Sequence, residues 1–108
     1  TLVIWGGEFG RTPTVELPKK GSNEGRINGR DHNHYGFTMW LAGGGIRGGV
    51  VHGCSDKHAA FPVDGVVRPR DIISTVFHCL GYSPETVVHD PLDRPIPISR
   101  GHVIREIL

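Results

Sequence analysis

Sixteen glycines and eight prolines punctuate the 108 residues. That density excludes a helical bundle, because a helix interior loses about 1 kcal/mol per glycine and about 3 per proline relative to alanine. It describes short strands joined by tight loops, with room for few helices.

In chain order, Thr1-Leu2-Val3-Ile4-Trp5 starts inside an apolar run with no cap or turn before it. Leu2 to Trp5 reads as a buried strand. A chain that opens mid-strand is expected to be the C-terminal piece of a larger protein, and 1–108 is read as one fragment of a single domain. Gly6-Gly7 ends the strand, and Glu8-Phe9-Gly10-Arg11 sits at its carboxyl mouth. Thr12 to Asn28 is polar and without period, which predicts a long exposed loop. A polar cluster, Gly29-Arg30-Asp31-His32-Asn33-His34-Tyr35, then leads into a second apolar strand from Phe37 to Ala42.

Gly43-Gly44-Gly45-Ile46-Arg47-Gly48-Gly49 predicts turns before a short strand at Val50-Val51-His52. Gly53 to Gly65 is expected to be irregular, with Phe61 and Pro62 tucked in. The spacing of Ile72, Ile73, Val76, Phe77 and Leu80 predicts an amphipathic helix from about Pro69 to Leu80. Proline suits its first position, Asp71 its first turn and Gly81 its stop. The tail, with Pro91, Pro95, Ile96, Pro97 and Ile98, is expected to run extended and finish in a short turn. The order of elements fits an α/β sheet with helices packed on it. Ligands of such sheets bind outside the carboxyl ends of strands.

A net charge of +1 creates no strong field for nucleic acid or a membrane surface. No apolar run approaches the roughly 18 residues of a membrane span. Cys54 and Cys79 lack a C-x-x-C spacing; Cys54 reads as a small buried residue.

The polar cluster admits two readings. In extended chain His32 and His34 point one way and Asp31 and Asn33 the other. The two imidazoles can therefore share a transition metal such as zinc, with Glu8 as a further ligand. In the other reading the cluster is a solvated loop in which Arg30 and Asp31 pair. Other patterns carry less. Gly43-x-Gly45-x-x-Gly48 matches a dinucleotide fingerprint, but the strand-like Val50-Val51-His52 follows where a helix must open. Ser55-Asp56-Lys57-His58 is read as a polar turn, because no G-x-S-x-G elbow accompanies it. His78, His89 and His102 are read as surface residues.

Gly7-Glu8-Phe9-Gly10-Arg11-Thr12-Pro13, Gly29-Arg30-Asp31-His32, the 43–49 glycine run, Ser55-Asp56, Arg70-Asp71-Ile72 with Leu80-Gly81, and Arg94-Pro95 follow one another in an order that resembles the bacterial domain-of-unknown-function family DUF1501. That family is grouped with the alkaline phosphatase and sulfatase superfamily. The resemblance spans essentially the whole chain. It implies the C-terminal part of a doubly wound α/β sheet, one or two divalent metals (zinc, calcium or manganese) at strand ends, and export, to the periplasm for instance. In phosphatase members a strand ends in Asp-His, and a further His precedes the next strand. Glu8-Phe9-Gly10 looks like the first position and His32 like the second. Phe9 departs from the pattern, since phenylalanine cannot bind metal.

The expectation is a fragment of a metal-dependent hydrolase-like protein acting on small phosphate or sulfate esters. Glu8, Asp31 and His32 are the candidate metal ligands, and Arg11 and His34 the candidate substrate contacts. The nucleophile and remaining ligands are expected from the N-terminal remainder. For Arg11 the alternative is an ion pair with Glu16. For the whole protein the alternative is a catalytically inactive, exported binding or envelope-associated protein of the same fold.

Overall fold

The computed structural model describes residues 1–15 and 29–108. It is mixed α/β, with small sheets and one helix. The strands, in chain order, are β1 (Leu2–Gly6), β2 (Gly10–Arg11), β3 (His32–Asn33), β4 (Met39–Gly43), β5 (Cys54–Ser55), β6 (Pro62–Asp64), β7 (Val87–His89) and β8 (Pro95–Pro97). They pair as β1 with β4, β2 with β3, β5 with β6 and β7 with β8. The helix, α1, spans Pro69–Cys79, and a 3-10 turn follows at Arg105–Ile107. The expected loop from Thr12 to Asn28 lies, from residue 16 onward, outside the described residues. No described helix is long and apolar enough to cross a membrane.

Both apolar strands form, but their burial is not met within these residues. Val3, Ile4 and Trp5 are 48%, 41% and 73% exposed, and Trp40 is 55%. The strand expected at Val50-Val51-His52 is absent, with Val51 almost fully exposed. A β-rich tripeptide without a ladder partner gains nothing from extending, and Gly49 and Gly53, both at positive φ, turn the chain on either side.

The chain divides into two compact units. One comprises Thr1–Ile4, Leu41–His52 and Val67–Leu108. Its centre is α1 with the tail laid across it. Pro69 opens the helix, and the Asp71 carboxylate accepts from the Arg68 N–H at 2.8 Å and the His102 N–H at 2.9 Å. The Thr75 hydroxyl donates to the Asp71 carbonyl (2.7 Å) and accepts from the Ile104 N–H (3.0 Å). The hydroxyls of Ser74 and Ser99 lie 2.6 Å apart. Asp71, Ser74 and Thr75 share one helix face, and all three are buried.

That face is the reverse of the one its apolar residues predict. Ile73 and Leu80 remain 50% and 61% exposed, while Ile104 is the buried hydrophobic residue among those described. The cause is the tail's backbone: running extended without a neighbouring strand there, it needs acceptors for its N–H groups, and the polar face of α1 supplies them. The helix stops as foreseen. Gly81 adopts φ 90°, its N–H bonds to the His78 carbonyl, and the Tyr82 N–H bonds to Phe77, closing a Schellman cap.

The tail also forms a hairpin where extended chain was expected. β7 and β8 are antiparallel, with Val88 opposite Ile96. Asp90 shapes the turn by accepting from the N–H groups of Leu92 and Arg94 and from the Arg94 guanidinium. Within the same unit, Arg47 from the glycine-rich turn is tied to the last turn through the Ile107 and Glu106 carbonyls.

The second unit comprises Trp5–Trp40 and Gly53–Val66. β2 and β3 pair antiparallel, with Gly10 opposite Asn33 and Arg11 opposite His32. The stretch expected to be irregular is a hairpin of β5 and β6 with a bulge at Cys54/Ser55. Asp56 organises its turn: the carboxylate accepts from the Ala60 N–H (2.8 Å) and the His58 N–H (3.1 Å). Phe61 and Pro62, expected inside, are exposed on this hairpin, and so is Cys54, which is a free thiol.

Candidate functional site

The polar cluster stands in the second unit, and Asn33 anchors it. Asn33 is 5% exposed. Its amide N–H donates to the Ala60 carbonyl at 3.0 Å, and its amide oxygen accepts from the Tyr35 N–H at 3.1 Å. One side chain therefore fastens β3 to the Asp56 turn and bends the chain after His34. Alternation then sends the flanking imidazoles the other way, as the sequence predicts. Both meet Phe9, with ring centroids 5.6 Å from His32 and 6.3 Å from His34. The ring series continues from His34 to Tyr35 (3.9 Å) and from Tyr35 to Phe61 (5.0 Å).

A shallow cavity of about 270 Å³ opens beside these rings, lined by Thr12 to Thr14, His32 to Tyr35, Ala60 and Phe61. Thr12 braces its rim. The Thr12 N–H donates to the Asp31 carbonyl at 2.9 Å, and the Thr12 hydroxyl accepts from the Asp31 N–H at 3.2 Å. The Ala60 N–H, opposed by burial and supported by the N–H and positive charge of His58, holds the Asp56 carboxyl below its ordinary value.

The five residues chosen from sequence fare differently. His32 and His34 come together across Phe9 and line the cavity. Asp31 sits at the start of β3, and one carboxylate oxygen accepts from the His32 N–H at 2.8 Å. Glu8 lies in the exposed bend between β1 and β2. The Arg11 guanidinium reaches the Arg30 carbonyl at 3.4 Å. Its alternative partner, Glu16, is outside the described residues.

Among the described residues no three His, Cys, Asp or Glu side chains converge as a metal site. Glu8, Asp31 and His32 are thus not gathered around one point, and the Phe9 ring lies beside both imidazoles. A metal held by His32 or His34 would need further ligands from beyond the described residues. What the described residues themselves can do is present two imidazoles and a ledge of rings to a small ligand.

Sequence reasoning missed Thr12, Thr14, Asn33, Ala60 and Phe61 as parts of the site. Asn33 had a signal, because strand alternation points it away from the histidines and into the body. Ala60 and Phe61 are brought to the site by the Asn33–Ala60 bond, which spans 27 residues and leaves no local pattern.

No curated protein and no solved structure matches the chain. A family model described as a protein of unknown function, DUF1501, matches residues 1–108. The chain belongs to the DUF1501 family. In this DUF1501 chain several stretches that carried the resemblance are structural devices: Asp56 organises a turn, Asp71 caps a helix, Arg94 pairs with Asp90 at 2.6 Å, and the glycine run makes turns. No helix opens at Gly48, so the dinucleotide reading gains no support. The stretch around Asp31 and His32 is different, because it borders a cavity.

Proposed function

We propose that this chain carries the histidine side of a hydrolase-like site for small phosphate or sulfate esters, within a doubly wound α/β domain completed by residues outside the chain. The observation that carries the reading is the pair His32 and His34, held on one side of β3 by Asn33 and bordering the cavity. Imidazole N–H groups donate to an oxyanion, and in this reading the pair orients the ester. The cavity volume, about 270 Å³, is slightly below the roughly 300 Å³ at which drug-sized pockets begin, in keeping with a small ester. A divalent metal, bound with ligands from the rest of the protein, would supply Lewis-acid chemistry. Export is part of the same reading.

One observation favours the second reading, a catalytically inactive binding protein of the same fold. Phe9 lies against both imidazoles, where the resemblance expects a ligating histidine. The test uses the longer protein that contains these residues. Hydrolysis of p-nitrophenyl phosphate and p-nitrophenyl sulfate is assayed alongside metal content, for the native protein and for His32→Ala and His34→Ala. The hydrolase reading expects stoichiometric metal and turnover that falls in both variants. Phosphate or sulfate binding without metal or turnover supports the binding protein. Hydrolysis and binding unchanged in both variants sink both readings.

A further inference from the structure

We infer that the ester carries a single aromatic ring, seated in the cavity against Tyr35 and Phe61, while its anionic group faces His32 and Arg11. This rests on the ester reading and names the alcohol half of the substrate.

The two ends of the site differ in charge. Among the described residues, no carboxylate, ammonium or guanidinium group lines the cavity. A phosphate or sulfate set among Pro13, Ala60 and Phe61 would lose its water without gaining a partner. The positive end lies outside. Arg11 stands opposite His32 in the β2–β3 pairing, so both side chains leave the same face of the ladder. An anion on that face meets guanidinium and imidazole N–H groups, both good donors to oxyanions. Its organic half is then directed past His34 toward Tyr35 and Phe61.

The lining also selects the kind of organic group. Two of its polar side chains are spent within the protein: the Asn33 amide on Ala60 and Tyr35, and the Thr12 hydroxyl on the Thr14 carbonyl (3.0 Å) and the Asp31 N–H. A sugar's hydroxyls would lose water there without replacing those hydrogen bonds. Rings are what the cavity offers instead. Tyr35 and Phe61 are 56% and 52% exposed, with centroids 5.0 Å apart and planes tilted by 53°. A flat ring set against them makes edge-to-face or offset contacts, a gain beyond buried area that an alkyl chain lacks. Size agrees: roughly 150 Å³ holds a benzene, so about 270 Å³ takes one ring with its substituents.

The test uses the longer protein and non-hydrolysable analogues, which read binding with or without turnover. Calorimetric titration with benzylphosphonate and phenylmethanesulfonate is compared with ethylphosphonate and ethanesulfonate, which carry the same anions without the ring. At least one ring-bearing probe is expected to bind about tenfold more tightly than its ethyl counterpart. That ratio should fall several-fold in Phe61→Leu and Tyr35→Leu, which keep apolar bulk and lose the ring. It should hold in Arg11→Gln, where both probes of the pair weaken. Equal affinities for benzyl and ethyl probes overturn this inference and leave the ester reading in place; the rings are then covered by the rest of the protein. A preference that survives in both leucine variants also overturns it, because the ring then sits elsewhere. If no probe binds, the inference falls, and the ester reading falls with it only when p-nitrophenyl esters are neither bound nor hydrolysed.

Discussion

The carboxylate of Asp71 accepts the N–H of His102, 31 residues further along the chain, at 2.9 Å, and the N–H of Arg68 at 2.8 Å. One side chain thus caps α1 and pins the tail to it. Asp71→Ala removes the acceptor from two part-buried donors. The expected cost is about 1–3 kcal/mol, with the charged acceptor placing it toward the upper end. Urea unfolding with an unchanged m-value checks it.

The same carboxyl gives a pH dependence. Burial raises its pKa, but the N–H groups of His102 and Arg68 and the positive charges of Arg70 and His102 outweigh burial, so it ionises below its ordinary value of 3.8. A depressed folded-state pKa means that the stabilisation is complete above the unfolded value. It is lost as the pH falls below about 4 through the folded value. Asp71→Asn should therefore lose stability relative to wild type at pH 7, and the gap should narrow toward pH 3. A gap that is constant across that range would show that the charge contributes nothing.

Much of the first unit was legible because α1 is governed by local rules. Pro69, Asp71 and Gly81 each act within a turn of their own position, and the helix ends where they place it. The face it buries was not legible. Hydrophobic periodicity assumes that the apolar stripe meets the core of the same chain, and here the tail's unpaired N–H groups claim the polar face instead. The β7–β8 and β5–β6 hairpins were missed for a shared reason. Each is set by an aspartate, Asp90 or Asp56, that accepts from N–H groups up to four residues on, with Asp93 or Ala59 at positive φ. Neither loop carries the Asn-Gly or Asp-Gly signal of a tight hairpin. In the candidate site, alternation along residues 31–34 was readable, whereas the Asn33–Ala60 bond spans 27 residues and was not.

The tail's path over α1 allows no side chain at Gly101, where a Cβ would collide with the Arg70 carbonyl and crowd the Asp71 N–H. Both obstacles are backbone, so relief requires the tail to lift. Gly101→Ala should release it, with loss of amide protection at His102 and Ile104 in hydrogen exchange. Gly48→Ala is the control. A Cβ there meets nothing within 4 Å, and the change should stay within about 0.5 kcal/mol.

Asn33 should be more sensitive than its polarity suggests. Asn33→Leu keeps approximate size but leaves the Ala60 carbonyl and the Tyr35 N–H without their partner, a cost of about 1–3 kcal/mol for each group that stays dry. The tie between β3 and the Asp56 turn is then lost. The Tyr35 amide should exchange much faster, and the His34–Tyr35 and Tyr35–Phe61 ring contacts should loosen, visible as smaller ring-current shifts. Unchanged exchange at Tyr35 would mean that another group positions the turn.

Phe9 offers the sharpest test of what the imidazole pair can hold. Zinc takes imidazole nitrogens at about 2.0–2.1 Å in tetrahedral array, which separates ring centroids by roughly 5 Å. Phe9 stands 5.6 Å from His32 and 6.3 Å from His34, close to that spacing. Phe9→His replaces the one ring that cannot coordinate and offers three imidazoles to a common point, with water free to complete the shell. Zinc affinity measured by competition with a chromophoric chelator should rise well above that of the native protein, whereas Phe9→Leu should leave it unchanged. The gain should disappear on adding His32→Ala, because two imidazoles then remain. If Phe9→His binds zinc no better than the native protein, the two histidines are not aimed at a shared point, and their role is confined to the cavity they border.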